Sequence, residues 1–229
     1  MKHRDHISLG LLVFSGVTLG TAFTKLAAFF IIIFPAFLSL DYLPRLAVFL
    51  AGVSFPDTDQ LIWPKKAMGH RMLTPFHVLS TPIILTVACA LLYWLLPQPA
   101  RNLINEPLGL FSAFTFGWFV HLLGDVIQGG VRLGFGSKKR FGITSFNWKV
   151  YTESLIGTLL SLALKGCGLA AYALTFTLAM DAGMIAGTTN AIAASALVLQ
   201  AIGCGNAVTF LGFLAVYSLL YCGFLKSIL

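Results

Sequence analysis

Apolar residues run along this chain in long blocks, not in the alternation of a strand or the one-sided stripe of a soluble helix. Leu108 to Gln128, Phe76 to Leu96, Leu155 to Met180 and Ala207 to Leu225 are each near the length of a bilayer-crossing helix, for which about 20 apolar residues suffice. Ile7 to Leu40 is long enough for more than one segment, and Leu43 to Pro56 is short and ends at a proline. The pattern predicts an all-α fold: a polytopic integral membrane helical bundle of about six transmembrane helices, within a range of five to seven. Ala191 to Ile202 fits an interfacial or re-entrant helix. Lys2 and Arg4 precede the first apolar run as in a signal peptide, but no clear small-x-small site follows, so that run reads as a retained first helix.

Composition sharpens this reading. Of the 229 residues 58% are hydrophobic and only 10% charged, with mean hydropathy +0.88. A soluble domain carries about 25% charged residues, so a water-covered surface is excluded. The four cysteines, Cys89, Cys167, Cys204 and Cys222, fall in or beside apolar segments without a CxxC pair and read as small buried hydrophobes.

The net charge of +7 is unevenly distributed. Lys2 and Arg4 lie in the N-terminal tail. Lys65, Lys66 and Arg71 follow Pro56; Arg132, Lys138, Lys139, Arg140 and Lys149 follow Gln128; Lys226 is near the C-terminus. The other connections are poor in cations: Pro97 to Pro107 has only Arg101, beside Glu106, and Asp181 to Asn206 has none. By the positive-inside rule both termini and the two basic loops are cytoplasmic, in a multi-pass protein of the cell inner membrane. Lys25 and Arg45 read as helix ends that snorkel to an interface. Phe141, Phe146 and Trp148 are too few for the stacking that single-stranded nucleic acid requires, so anionic headgroups, not nucleic acid, are the expected partners of the basic loops.

This orientation gathers the chemistry on one side. The five histidines are His3, His6, His70, His77 and His121, all placed near the cytoplasmic face with Asp57, Asp59 and Asp125. His121 and Asp125 are spaced i, i+4 and share a helix face, which is half of a zinc-type ligand set or a buried pair holding helices together. Asp57 and Asp59 follow Pro56. In an extended segment they point to opposite sides, one as metal ligand and the other as orienting group or base; in a bare turn they are solvated. Thr74 and Pro75 look like an N-cap and first helical residue, which puts His77 in the first turn of a helix. His70 precedes the cap on a loop able to fold over the site. Arg71 suits bidentate contact with phosphate or simply meets lipid headgroups. Arg132, after Gly129 and Gly130, is a second candidate for holding an anion.

In this order the motifs resemble the YdjM-like family of inner-membrane proteins, described as membrane-bound metal-dependent hydrolases. The matching residues are His6; Phe55-Pro56-Asp57-Thr58-Asp59; His70-Arg71 with Thr74; and His121-Leu122-Leu123-Gly124-Asp125 with Gly130-Val131. They span roughly residues 1 to 140. Pro75 stands where the family has a histidine after threonine, His77 lies two positions later, Gln128 stands in place of threonine, and Thr58 replaces the isoleucine between the paired acids. The resemblance, and a more distant one to zinc-dependent phospholipase C sites, implies hydrolysis of a phosphoester or lipid-linked substrate. It implies His6, His70, His121 and Asp125 as ligands of one or two divalent ions, zinc foremost, with His77 as a candidate ligand in place of the family's histidine, Asp57 as ligand or general base and Asp59 as ligand or orienting group. Residues 1–229 would form a single membrane domain, 1–140 carrying the metal site and 141–229 adding helices. The competing reading is a non-enzymatic membrane protein, a transporter or assembly factor, using the same cluster structurally. A transporter would place ionisable groups near the bilayer midplane on broken helices.

Overall fold

The structure is a computed structural model, which describes residues 3–23, 32–34, 36–37, 40–61, 75–128, 130–134, 140–143, 148–185 and 187–228. Among the described residues it is all-helical apart from one antiparallel strand pair and an isolated bridge between Val78 and Arg132. In chain order the elements are α1 (His3–Phe23), α2 (Tyr42–Ser54), a 3₁₀ segment (Phe55–Leu61), a 3₁₀ turn (Pro75–His77), α3 (Ser80–Leu95), α4 (Gln98–Gln128), β1 (Val131–Arg132), β2 (Arg140–Phe141), α5 (Trp148–Glu153), α6 (Leu155–Asp181), α7 (Gly187–Gly203) and α8 (Ala207–Ile228).

Among the described residues two helices, against the six expected, are long and apolar enough to cross a membrane, Gln98–Gln128 and Leu155–Asp181. They occupy different places: the most apolar stretch of α4 is 61% buried and that of α6 only 17%. So α4 is the axis of the bundle and α6 lies at its edge. Ser80–Leu95 is apolar but shorter. The connection expected between Pro97 and Pro107 is instead the first third of α4, with Pro107 inside the helix. Proline there forgoes one backbone hydrogen bond, and the helix-favouring residues around it carry the turn through. Ala191 to Ile202 lies within α7, a 17-residue helix.

The tightest crossing is between α2 and α4. A Cβ on Gly52 would overlap the Phe114 carbonyl, and one on Gly117 would overlap the Phe49 carbonyl. The two glycines therefore bring the backbones together reciprocally, the close approach small residues allow. Around the crossing Phe14, Phe37, Tyr42, Phe49 and Phe116 form an aromatic core, with Phe14–Phe49 and Phe49–Phe116 ring centres each 5.3 Å apart. Arg45 does not snorkel. It is 1% exposed, with its guanidinium 5.4 Å from the Phe37 ring centre and 5.8 Å from that of Phe14, where cation–π attraction offsets lost hydration. Lys25 lies outside the described residues.

At the C-terminal end of α4 the chain turns back. Gly130, at φ +89°, donates to the Asp125 carbonyl, a backbone shape that glycine adopts without a Cβ penalty. The hairpin then lies against the start of α3: Leu79 N–H donates to Arg132 O at 2.9 Å and Ser80 N–H to Leu133 O at 3.1 Å. A second small core of Leu79, Trp118, Leu122 and Val131 packs beneath, and Trp118 Nε1 donates to the Phe76 carbonyl at 2.8 Å. This holds the 3₁₀ turn carrying His77 against α4.

Candidate metal centre

Four elements meet at one end of the bundle, and each brings an imidazole or a carboxylate. The start of α1 carries His3 and His6. The 3₁₀ segment after α2 carries Asp57 and Asp59. The 3₁₀ turn before α3 carries His77, and the last two turns of α4 carry His121 and Asp125. His6, Asp59, His77 and His121 are almost wholly buried, as isolated polar groups rarely are without a partner or a metal.

Asp125 is the hub. Its Oδ1 lies 3.3 Å from His6 Nε2; its Oδ2 lies 3.4 Å from His121 Nε2 and 3.9 Å from His77 Nε2. The His6 and His121 rings stack with centres 3.8 Å apart at 11°. Among the described residues, two groups of three, each with its ligand atoms within 4.8 Å of one another, could hold a metal ion: His6, Asp57 and His121, and His77, His121 and Asp125. His121 belongs to both.

The far nitrogens of two rings are already engaged. His121 Nδ1 lies 2.7 Å from the Val53 carbonyl, which only an N–H at Nδ1 satisfies; Nε2 is then the nitrogen with a free lone pair. His77 Nδ1 lies 3.0 Å from Asp59 Oδ2. Such outer partners fix tautomer and ring direction in metal-binding histidines. The Val53 contact is a direct product of the α2–α4 crossing, since Val53 is next to Gly52 and His121 is one turn beyond Gly117. Among the described residues, His121 Nε2 has no hydrogen-bond partner although it is buried, and the same is true of His6 Nδ1 and Gln128 Oε1. The lone pair of His121 Nε2 faces Asp125 Oδ2 at 3.4 Å, with Asp57 in the same group of potential ligands; acceptors facing one another in this way suit a cation between them, so the residues present fit a divalent ion. Imidazole-rich ligand sets with carboxylate oxygens are those zinc takes.

Asp57 and Asp59 diverge, but not as members of an extended segment. They sit in a 3₁₀ helix, tightened by Thr58 Oγ1 donating to the Phe55 carbonyl at 2.6 Å. Asp57 faces the His6–His121 side, and its Oδ2 is 3.9 Å from His3 Nδ1. Asp59 faces His77. His77 precedes α3 in its own 3₁₀ turn instead of occupying the helix's first turn. His70, Arg71 and Thr74 lie outside the described residues. Arg132 is on β1, paired at its backbone with Val78, next to His77; its Nε is buried without a hydrogen-bond partner among the described residues.

Two neighbouring side chains were named in the sequence but given no role at the centre. His3 is three residues before His6 and therefore shares its helix face, a signal that was available. Gln128 continues the His121–Asp125 face by three residues and is buried. The Val53 carbonyl is a backbone group and leaves no trace in the sequence. Comparison of the chain with protein-family models, with curated proteins and with solved structures finds no match.

If Asp59 orients His77 in a metal centre, Asp59→Asn will weaken divalent-metal binding, probed with zinc, by about 10–100-fold, the range for outer-shell partners, while leaving the fold intact. Competition against a zinc-chelating dye measures this. Unchanged affinity would remove Asp59 from the centre.

Proposed function

We propose that the chain is a multi-pass inner-membrane protein, both termini cytoplasmic, whose His/Asp centre is a zinc-dependent hydrolytic site for a phosphoester or lipid-linked substrate. The observation that carries this reading is the convergence of His6, Asp57, His77, His121 and Asp125 at one end of the bundle, with the outer nitrogens of His77 and His121 held by Asp59 and Val53. The outward faces support the membrane placement. Ile83, Ile84, Val87, Leu91, Leu92 and Leu95 are exposed on α3, and α6 exposes a comparable set. Apolar surface on this scale is expensive in water and suits lipid. The motif order shared with the YdjM-like family points to the same chemistry.

In this reading His6, His77, His121 and Asp125 would hold the ion, with Asp57 adjoining. A bound divalent ion supplies a water acidified to pKa ~7 and polarises the scissile group. The chain's own groups do the rest. Val53 and Asp59 fix the directions of His121 and His77. Asp57, 8% exposed at the edge of the cluster, accepts the proton of the attacking water at a carboxylate oxygen. Arg132, beside His77, and Arg71 would take the anionic part of the substrate. A site at one end of the bundle lies at headgroup depth, where a lipid-linked phosphoester presents its polar part.

The test is hydrolysis of an activated phosphodiester, bis-p-nitrophenyl phosphate, by protein in detergent. Activity is expected to disappear with a chelator and return with about one to two equivalents of zinc. Folded, zinc-loaded protein with no turnover of this or any lipid phosphoester would sink the hydrolase reading and leave the cluster a structural one.

A further inference from the structure

The first turn of α1 carries more than candidate ligands. Between His3 and His6 stand Arg4 and Asp5, and both are held by the C-terminal half of the chain, which contains no histidine. Asp5 is fully buried. Its Oδ2 accepts from the Tyr151 hydroxyl at 2.7 Å and its Oδ1 from the Ser161 hydroxyl at 2.7 Å, with Lys165 Nζ at 3.4 Å. Lys165 Nζ also donates to Ser161 Oγ at 3.1 Å. Arg4 Nη2 donates to the Gly203 carbonyl at 3.1 Å, at the end of α7, where the helix dipole favours a cation. One turn beyond Asp5, a Cβ on Gly168 would come within 2.4 Å of the Ser8 carbonyl oxygen, so α6 lies directly against the backbone of α1.

Adhesion alone does not call for this network. α1 and α6 already meet at Gly168, and close approach at small residues is what joins helices in lipid. Replacing a buried ion pair by apolar side chains of similar volume is often neutral or stabilising, so the pair is weak evidence of a gain in stability. What a directional polar contact supplies is a fixed rotation of the helix about its own axis. From Ile7 to Phe23 every residue of α1 is apolar, glycine or hydroxyl-bearing, and lipid tails are as apolar as leucine. Hydrophobicity by itself therefore does not choose which face of α1 turns inward. Adjacent side chains leave a helix axis about 100° apart. Anchoring Asp5 on α5 and α6 thus turns His6 toward α4, where its ring stacks on His121 with centres 3.8 Å apart and its Nε2 lies 3.3 Å from Asp125 Oδ1. At a side-chain radius of about 5–6 Å, a rotation of about 20° would carry the imidazole about 2 Å away, whereas a functional constellation tolerates about 0.5 Å.

We propose that Asp5, held by Tyr151, Ser161 and Lys165, is a positioning residue of the metal centre: it sets the rotation of α1 that points His6 at His121 and Asp125. The proposal rests on the reading of the His/Asp cluster as a metal centre. Asp5 acts through the backbone it shares with His6, and α5 and α6 take part in the centre without bringing a ligand to it. The charges of Asp5 and Lys165 cancel, so the network can be removed whole without stranding a buried ion.

The experiment uses the full chain in detergent micelles with ring-¹³C-labelled histidine, first with a chelator and then with zinc. In zinc-free wild type the stacked His6 and His121 rings are expected to give ring-current-shifted imidazole resonances, assigned with His6→Asn. Asp5→Leu combined with Tyr151→Phe, Ser161→Ala and Lys165→Met replaces the whole network by apolar side chains. This variant is expected to keep wild-type circular dichroism and Tm, to lose the ring-current shifts, and to bind zinc at least tenfold more weakly by competition with a chelating dye. Lys165→Arg keeps the charge and the donors, has room in the cavity of about 170 Å³ that Lys165 lines, and is expected to match wild type in all these respects. Wild-type ring shifts in the apolar variant, or shifts lost equally in Lys165→Arg, would overturn the proposal. So would ring displacement that comes only with a collapse in Tm, because the network would then hold the fold and not one histidine. Wild type that takes up no zinc would remove the metal reading, and the ring shifts, recorded without metal, would still decide whether Asp5 directs His6.

Discussion

Asp125→Ala will reduce bound zinc to background in protein that still folds. The expectation follows from the position of this side chain. Its two oxygens face three imidazoles, Oδ1 toward His6 and Oδ2 toward His77 and His121, so one truncation removes a ligand and the acceptor that gathers the rest. Loss of an outer-shell partner costs about 10–100-fold in affinity, and loss of the hub will cost more. The helix itself has little reason to suffer. Alanine favours helix more than aspartate does, and Asp125 sits in the last turn of α4, away from the Gly117 crossing. Elemental analysis of the variant beside wild type, with circular dichroism as the fold control, decides it. Zinc retained at the wild-type ratio would place the ion elsewhere.

Gly117→Leu will have the largest effect on stability. At this position any side chain meets the Phe49 carbonyl and the Val53 amide, both backbone, and a helix backbone cannot rotate out of the way as a side chain can. Overpacking of cores costs typically 1–3 kcal/mol, and the upper end applies here, about 3 kcal/mol. For a chain of this size that corresponds to a fall of roughly 6–12 °C in Tm. The same displacement carries Val53 away from His121, so zinc affinity should fall even in the fraction that remains folded. A variant with unchanged Tm would mean that α2 and α4 do not touch as described. One with lowered Tm and unchanged zinc affinity would separate the crossing from the site.

The largest features of this architecture were readable in the order of residues, and the finest were not. The helices announce themselves because a block of apolar residues as long as Leu155 to Met180 has few other uses. The i, i+4 spacing of His121 and Asp125 fixes their common face, whatever surrounds them. The gathering of His6, Asp57, His77 and His121 at one end follows from helix direction alone. What escaped was set by contacts between segments or by backbone groups. Asp57-Thr58-Asp59 forms a 3₁₀ helix because Thr58 bonds back to Phe55, a choice that short polar segments make only in context. The hairpin of Val131–Arg132 and Arg140–Phe141 is too short for any periodicity. Pro107 looked like the edge of a loop and instead lies inside α4. Arg45 looked like a helix end reaching for water; only the assembled rings of Phe14, Phe37 and Tyr42 give it a place inside. The Val53 carbonyl that fixes His121 exists as a partner only once Gly52 and Gly117 have brought two helices together.

In the proposed site, zinc is held by imidazole and carboxylate at the junction of α1, the two 3₁₀ elements and α4. Zinc-edge X-ray absorption on tag-free protein carrying one equivalent of the metal tests it most directly. Nitrogen and oxygen neighbours at about 2.0–2.1 Å, the outer-shell scattering of at least two imidazoles, and no sulfur are expected. A sulfur shell at about 2.3 Å, or folded protein that will not retain the metal, would contradict it.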